Sequence, residues 1–295
     1  MQNVGIVGLG NMGRGMLHSL RRGGFETFGY DVLPEIRDRL ASEGFTIVSG
    51  IEELCRLADV LILSLPTAAI VEDVVTDTAG ILAHATAGMV VVDTSTSHPE
   101  TSRCIAARLA GKGIGFIDAP VSGGPKGAMA GTMTMVIGGS DADISEVEPI
   151  LSAMSAKRVH VGPVGAGHVT KIINNLLCAA HLLTGAEAMR LAVEAGVEPD
   201  RVMEGINAGS GRSGVTMVNF PTWIFNEAYD SGFTMKLMRK DVALGAQLMS
   251  ELGLSMPMAE HTTRIWSESL TRIADDEDFN RIVSLQITGN KGKGQ

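Results

Sequence analysis

The chain opens with a strand, a glycine loop and a helix in immediate succession, and that order leaves few folds open. Asn3-Val4-Gly5-Ile6-Val7 reads as a short buried strand, Gly8-Leu9-Gly10-Asn11-Met12-Gly13 follows it, and Arg14 to Arg22 has helical character. Each glycine has its own task in such a turn. Gly8 permits the tight reversal, Gly10 lets the backbone approach a pyrophosphate, and Gly13 lets helix and strand pack closely. Phosphates then lie at the positive end of the helix. A glycine fingerprint in isolation is weak evidence; with a strand before it and a helix after it, it implies a dinucleotide site whose loop is Gly8, Leu9, Gly10, Asn11, Met12 and Gly13.

The next strand, Phe25 to Tyr30, ends in Asp31, eighteen residues beyond Gly13. A carboxylate there accepts hydrogen bonds from an adenosine ribose and repels a 2′-phosphate, so NAD is expected over NADP. The competing reading of Asp31 is a helix N-cap, because Pro34 and a helical stretch to Ser42 follow. Arg37 and Arg39 lie too far along to be assigned to a phosphate, but they keep NADP open.

Strand and helix patterns continue to alternate over the first 160 residues or so. Val60-Leu61-Ile62-Leu63-Ser64-Leu65 and Met89-Val90-Val91-Val92-Asp93 are unbroken apolar runs, suited to parallel strands covered on both faces. Leu65-Pro66-Thr67 and Asp93-Thr94-Ser95-Thr96 fall at the carboxyl ends of those strands, where open α/β sheets bind ligands. Leu65, Pro66 and Thr96 are therefore candidate cofactor contacts. The alternative is ordinary capping, by Thr67 and by Thr96 or Ser97, of the helices that follow.

Beyond Gly162-Pro163-Val164-Gly165-Ala166-Gly167 the pattern changes to long helices, over 168–195, 199–208, 235–252 and 257–273. The expected architecture is α/β: an N-terminal doubly wound Rossmann-type sheet over 1–163, then an all-helical domain over 164–295, joined by the long helix near 168–195. A cofactor on the sheet and a side chain from the joining helix would meet in a cleft between domains. Residues 290–295 read as a polar tail without function.

That joining helix carries Lys171, Asn174 and Asn175 within an otherwise apolar run, Ile172 to Leu183. A lysine three and four residues ahead of two amides shares a helix face with them. Burying those groups would cost several kcal/mol unless they are hydrogen-bonded, so a polar network or a ligand is implied. An ammonium flanked by amides suits acid/base chemistry on a hydroxyl; the bland alternative is a lysine that snorkels to solvent. A second candidate is Asp118-Ala119-Pro120-Val121-Ser122-Gly123-Gly124-Pro125-Lys126-Gly127, where Ser122 and the amides of Gly123 and Gly124 can cradle a carboxylate or merely form a tight turn.

Composition narrows the partners. A formal charge of −9 argues against nucleic acid or an anionic membrane as partner. The three cysteines, Cys55, Cys104 and Cys178, and seven histidines show no metal-ligand spacing, so no metal is expected. The start lacks a basic region followed by an apolar one, and no run of ~18 apolar residues stands out, so the protein is read as cytoplasmic. With 16 methionines and few aromatics, its cores should be packed by aliphatics, alanine and methionine.

As a set, Gly8 to Gly13, Asp118 to Gly124 with Gly127-Ala128 and Gly131, Gly167 to Asn175, and Lys240-Asp241 resemble the β-hydroxyacid dehydrogenases, in order and spacing over nearly the whole chain. That family includes 3-hydroxyisobutyrate dehydrogenase and tartronate semialdehyde reductase. The resemblance implies that Lys171 is the catalytic lysine, that Asn175, with Asn174 beside it, holds substrate, and that Ser122, Gly123 and Gly124 bind the substrate carboxylate. It implies cofactor contacts at Thr96 and Lys240, and cleft-lining positions at Phe233 and Asp241. Members that reduce aldehydes with NADPH often carry an arginine after the second strand; Tyr30-Asp31 departs from that and favours NAD and the oxidative direction.

The activity implied is hydride transfer between NAD and the hydroxyl carbon of a small hydroxy acid of the 3-hydroxyisobutyrate kind. Reduction of a small aldehyde acid such as tartronate semialdehyde, or oxidation of threonate, D-glycerate or hydroxymethylglutarate, stays open. A noncatalytic binding protein should have lost Lys171. A 6-phosphogluconate-type decarboxylating enzyme should carry clustered arginines or a histidine beside Asn174-Asn175, which are not evident. Arg212 could pair with a second carboxylate or lie in an exposed loop. The apolar helices, including Trp223-Ile224-Phe225, suit a homodimer or homotetramer.

Overall fold

Strands that are apolar at every position need cover on both faces, and each apolar run is divided between two layers. In the computed structural model, which describes residues 2–287, Val4 and Ile6 of β1 (Val4–Val7) face one core and Val7 the other. Val60 and Ile62 of β4 (Val60–Leu63) likewise oppose Leu61 and Leu63, and Val90 and Val92 of β5 (Val90–Asp93) oppose Val91. This is the two-residue period of a strand acting on a run with no polar face. Each such side chain, removed from water, contributes roughly 1.5–3 kcal/mol.

The remaining strands are β2 (Thr27–Tyr30), β3 (Thr46–Ile47), β6 (Gly115–Asp118), β7 (Val121–Ser122), β8 (Met133–Gly138) and β9 (Ser155–Gly162), and the sheet runs β3-β2-β1-β4-β5-β6-β8-β7 with β9 on β8. Pairing from β3 to β6 is parallel. At the far edge the expectation of a parallel sheet fails, because β8 is antiparallel to β6 and β7. The short helix between β7 and β8, Gly124–Ala130, packs on the first helix, Asn11–Arg22, so closely that a Cβ at Gly15 would stand 2.7 Å from Ala128 Cβ. It leads the chain back into the sheet in reverse. The strand β9, mostly exposed, has no apolar alternation to announce it.

The helices are labelled α1 (Asn11–Arg22), α2 (Pro34–Ser42), α3 (Ile51–Leu57), α4 (Ala68–Thr76), α5 (Ile81–His84), α6 (Pro99–Ala110), α7 (Gly124–Ala130), α8 (Asp141–Met154), α9 (Ala166–Glu194), α10 (Pro199–Ala208), α11 (Met235–Glu251) and α12 (Pro257–Glu268). The chain divides into two compact units between Lys171 and Ile172, within the continuous α9. The second unit is helical. Its core gathers Leu182, Ala186 and Met189 of α9 with Phe220, Met238 and Trp266, and the Trp266 indole N–H donates to the Ala179 carbonyl at 3.3 Å. By length and composition α9 could cross a bilayer; its Leu182 and Ala186 are fully buried in the core of the second unit. A π-helical stretch, Val215–Ile224, contains Pro221, a residue that signals a break in the sequence. The polar tail 290–295 lies outside the described residues.

Candidate active site

Among the loop glycines, protein packing accounts for two. Gly8 has φ +89°, and a Cβ there would stand 2.4 Å from the Ser64 carbonyl; a Cβ at Gly13 would stand 1.9 Å from the Gly8 carbonyl, so only glycine brings α1 this close to β1. Gly10 differs. Its φ is −63°, and an added Cβ would meet nothing within 4 Å. Nothing in the folded chain demands glycine there, whereas a pyrophosphate drawn against the bare backbone does. The exposed Gly10 and Asn11, at the start of a twelve-residue helix, suit a dinucleotide.

Asp31 ends β2 beside this loop. Its Oδ2 accepts from the Leu9 N–H at 2.7 Å, and its Oδ1 accepts from the Leu33 N–H at 3.0 Å. It thus braces both the glycine loop and the turn into α2, and each oxygen keeps a lone pair for a ribose hydroxyl. Leu33, rather than Asp31, is the N-cap of α2. Arg37 reaches the same corner, its guanidinium donating to the Asp31 carbonyl at 2.8 Å and the Val32 carbonyl at 3.3 Å.

At the ends of β4 and β5, Leu65 is half-buried and its N–H donates to Ser95 Oγ at 2.9 Å, while Pro66 is exposed. Thr67 caps α4, accepting from the Ile70 N–H. The cap of α6 is not Thr96 or Ser97 but His98, which accepts from the Glu100 N–H at 3.3 Å through Nδ1. Pro99 takes the first helical position and leaves His98 next to it as the nearest acceptor.

Lys171 is tied to the carboxylate-loop candidate: its Nζ donates to Ser122 Oγ at 3.0 Å, and the residue is only 9% exposed. Ser122 and Gly123 are exposed, and Gly123 and Gly124 have φ of 121° and 62°, so the turn presents backbone rather than side chains. Behind it, the buried Asp118 carboxylate closes the N-terminus of α9, accepting from the Gly165 N–H at 2.7 Å and the His168 N–H at 2.8 Å. Burial pushes the Asp118 carboxyl upward in pKa, against the pull of His168 and these backbone donors. A Cβ at Gly167 would stand 2.7 Å from the Asp118 and Val136 carbonyls, which explains the glycine four residues ahead of the lysine.

In the second unit, Asn175 is buried and its Nδ2 donates to Asp241 Oδ2 at 2.6 Å, while Asn174 is exposed and donates to Asn175 Oδ1 at 3.0 Å. Asp241, 1% exposed, also pairs through Oδ1 with Lys240 Nζ at 3.1 Å. Within its own unit, Lys171 is bonded to Ser122, and within the other Asn175 is bonded to Asp241. Phe233 stacks edge-on against Phe279 with ring centroids 5.3 Å apart and joins the helical core. Among the described residues no group of three His, Cys, Asp or Glu could hold a metal ion. The sequence placed Asp93 and Asp118 at the heads of two candidate stretches without a role for either; the signal available was that two apolar strands each end in a carboxylate, both fully buried.

Residues 3–162 match the family model described as the NAD binding domain of 6-phosphogluconate dehydrogenase, and residues 165–286 the model described as NAD-binding of NADP-dependent 3-hydroxyisobutyrate dehydrogenase. The chain is 34% identical to 2-(hydroxymethyl)glutarate dehydrogenase of Eubacterium barkeri over 288 residues, 97% of this chain and 96% of that one. It is 32% identical to NAD-dependent L-serine dehydrogenase of Pseudomonas aeruginosa, covering 97% and 98% of the two chains. The structure of 3-hydroxyisobutyrate dehydrogenase of Mycobacterium tuberculosis with L-serine superposes with a TM-score of 0.90 at 30% identity, covering 97% of this chain and 99% of that one.

Proposed function

Because the chain belongs to the β-hydroxyacid dehydrogenase family, we propose that it oxidises the primary alcohol of a 3-hydroxypropanoate bearing a substituent at carbon 2, with NAD as acceptor. The compounds named for the relatives, 2-(hydroxymethyl)glutarate, L-serine and 3-hydroxyisobutyrate, share a hydroxymethyl group on the carbon beside a carboxylate. They differ only in the third substituent. The observation that carries the reading is the bond from Lys171 Nζ to Ser122 Oγ at 3.0 Å, which sets an amine against a turn of bare backbone.

In this reading the Ser122-Gly123-Gly124 turn holds the carboxylate, and the hydroxymethyl carbon, two bonds from the carboxylate carbon, lies at the amine. Lys171 in its neutral form takes the hydroxyl proton and passes it to solvent through the exposed Ser122 hydroxyl; in reverse, the ammonium returns it. The bound nicotinamide supplies the hydride acceptor. Asn175, held in one orientation by Asp241, is a substrate contact, and Thr96 and Lys240 are cofactor contacts.

Purified protein assayed with NAD should form NADH with at least one of 3-hydroxyisobutyrate, L-serine and 2-(hydroxymethyl)glutarate. In this reading the buried Asp31 carboxylate meets the 2′-phosphate of NADP, and like charges in such contact cost several kcal/mol. At ~1.4 kcal/mol per tenfold, kcat/KM with NAD should exceed that with NADP by at least ~10²-fold. Asp31→Asn, with Arg37 intact beside it, should narrow the gap. Equal efficiency with both cofactors would contradict the role of Asp31, and turnover confined to phosphorylated sugar acids would contradict the substrate class.

A further inference from the structure

A histidine that touches no solvent sits three residues before Lys171 on α9. His168 is fully buried, and both ring nitrogens are engaged: Nε2 lies 3.0 Å from the Ser95 carbonyl and Nδ1 2.8 Å from Ser102 Oγ. Two buried carboxylates flank the ring, Asp93 Oδ2 at 3.8 Å from Nε2 and Asp118 Oδ2 at 3.9 Å from Nδ1. A carbonyl only accepts, so Nε2 carries a proton and donates to Ser95. The neutral ring accepts the Ser102 hydroxyl at Nδ1, and the charged ring donates to it. The bond to Ser95 survives in either state.

Ser95 is itself a junction. Its N–H donates to Asp93 Oδ1 at 3.0 Å, its Oγ accepts from the Leu65 N–H at 2.9 Å, and its carbonyl takes the imidazole. One residue therefore joins the ends of β4 and β5 to the first turn of the helix that bears Lys171. Asp118, through the His168 and Gly165 N–H groups, adds the end of β6 to the same knot. Sealed from solvent, the imidazole has no route to a reacting atom. Its effect is mechanical.

We propose that His168 is a positioning residue for the dehydrogenase reaction, fixing the Ser95-Thr96 turn against the helix that carries the acid/base lysine. The inference rests on the reading of Lys171 and Thr96 given above. A displacement of ~1 Å between reacting groups can cost ~10²-fold in rate, and without the imidazole the Ser95 carbonyl and the Ser102 hydroxyl lose the group that joins them. Glutamine can replace both contacts, since its amide donates to Ser95 and its carbonyl accepts from Ser102. Leucine can replace neither.

The test compares His168→Leu and His168→Gln by amide hydrogen exchange in the cofactor-free protein, NADH binding and steady-state kinetics with a primary deuterium isotope effect. In the leucine variant, exchange over residues 93–98 should rise by about tenfold or more while the rest of the sheet is unchanged. Its kcat should fall ~10–100-fold with an enlarged isotope effect and KM for the acid within about threefold, the signature of slowed chemistry. The glutamine variant should recover both. Should the leucine variant not fold, His168→Asn, one methylene too short to span Ser95 and Ser102, takes its place against glutamine with the same expectations. An unchanged kcat, uniform loss of protection, or failure of glutamine to rescue would overturn the proposal. If the unaltered protein oxidises no hydroxy acid, the functional reading fails, while the exchange result still decides whether His168 tethers the turn.

Discussion

Replacing Lys171 by methionine is expected to lower kcat by ~10²–10⁴-fold, the range for removing a general acid or base, while NADH affinity stays within about threefold and the fold survives. Methionine fills nearly the volume of the lysine stem and tolerates an irregular site. The residue is 9% exposed and its Nζ donates to Ser122 Oγ. What disappears is the amine alone, and with it, in the proposed reaction, the acceptor for the hydroxyl proton. Because the glycine loop, which joins β1 to α1, contains none of these atoms, cofactor binding is the internal control. A parallel fall in NADH affinity and in thermal stability would make Lys171 a structural residue.

Alanine at Gly10 and at Gly13 should part company. At Gly10 the added methyl meets no protein atom within 4 Å, so thermal stability should hold. NADH affinity should nevertheless fall by ~10–100-fold, about 1.4–2.7 kcal/mol, because the methyl occupies the approach of the pyrophosphate. At Gly13 the methyl would lie 1.9 Å from the Gly8 carbonyl. There α1 must move off β1, and a loss of about 1–3 kcal/mol of stability or more is expected, as for overpacking in a core. Thermal melts and NADH fluorescence titrations of both variants separate the two effects. Loss of stability at Gly10 with unchanged binding would remove the dinucleotide reading of the loop.

The first unit was legible because its strands are apolar throughout and its turns are marked by glycine. Val60 to Leu63 could only be a strand covered on both faces, and it divides between the two cores. The antiparallel edge was not legible. Nothing in Val121-Ser122 or Met133 to Gly138 states a direction, and the reversal comes from α7 packing on α1, a tertiary effect. The strand β9 escaped notice because only Ser155 in it is buried, while Val159 and Val161 remain 38% and 37% exposed. Asn174 was grouped with Lys171 and Asn175 by spacing, but helix geometry turns it outward while Asn175 is buried. Cap identity was also hidden. Ser97 and Thr96 are better cap formers than His98, yet Pro99 places the helix start so that His98 does the capping. The knot around His168 joins residues from four distant segments, and no local pattern could disclose it.

The central claim is that hydride passes between NAD and the hydroxymethyl carbon of a small hydroxy acid. The most direct measurement supplies 3-hydroxyisobutyrate, L-serine or 2-(hydroxymethyl)glutarate with two deuterium atoms on the hydroxymethyl carbon and follows the label by NMR. With an acid that is turned over, one deuterium should appear on the reduced nicotinamide ring and one should remain on the aldehyde carbon of the product, with none released to water. NADH formed without label, or label lost to solvent, would place the chemistry at another carbon and contradict the account.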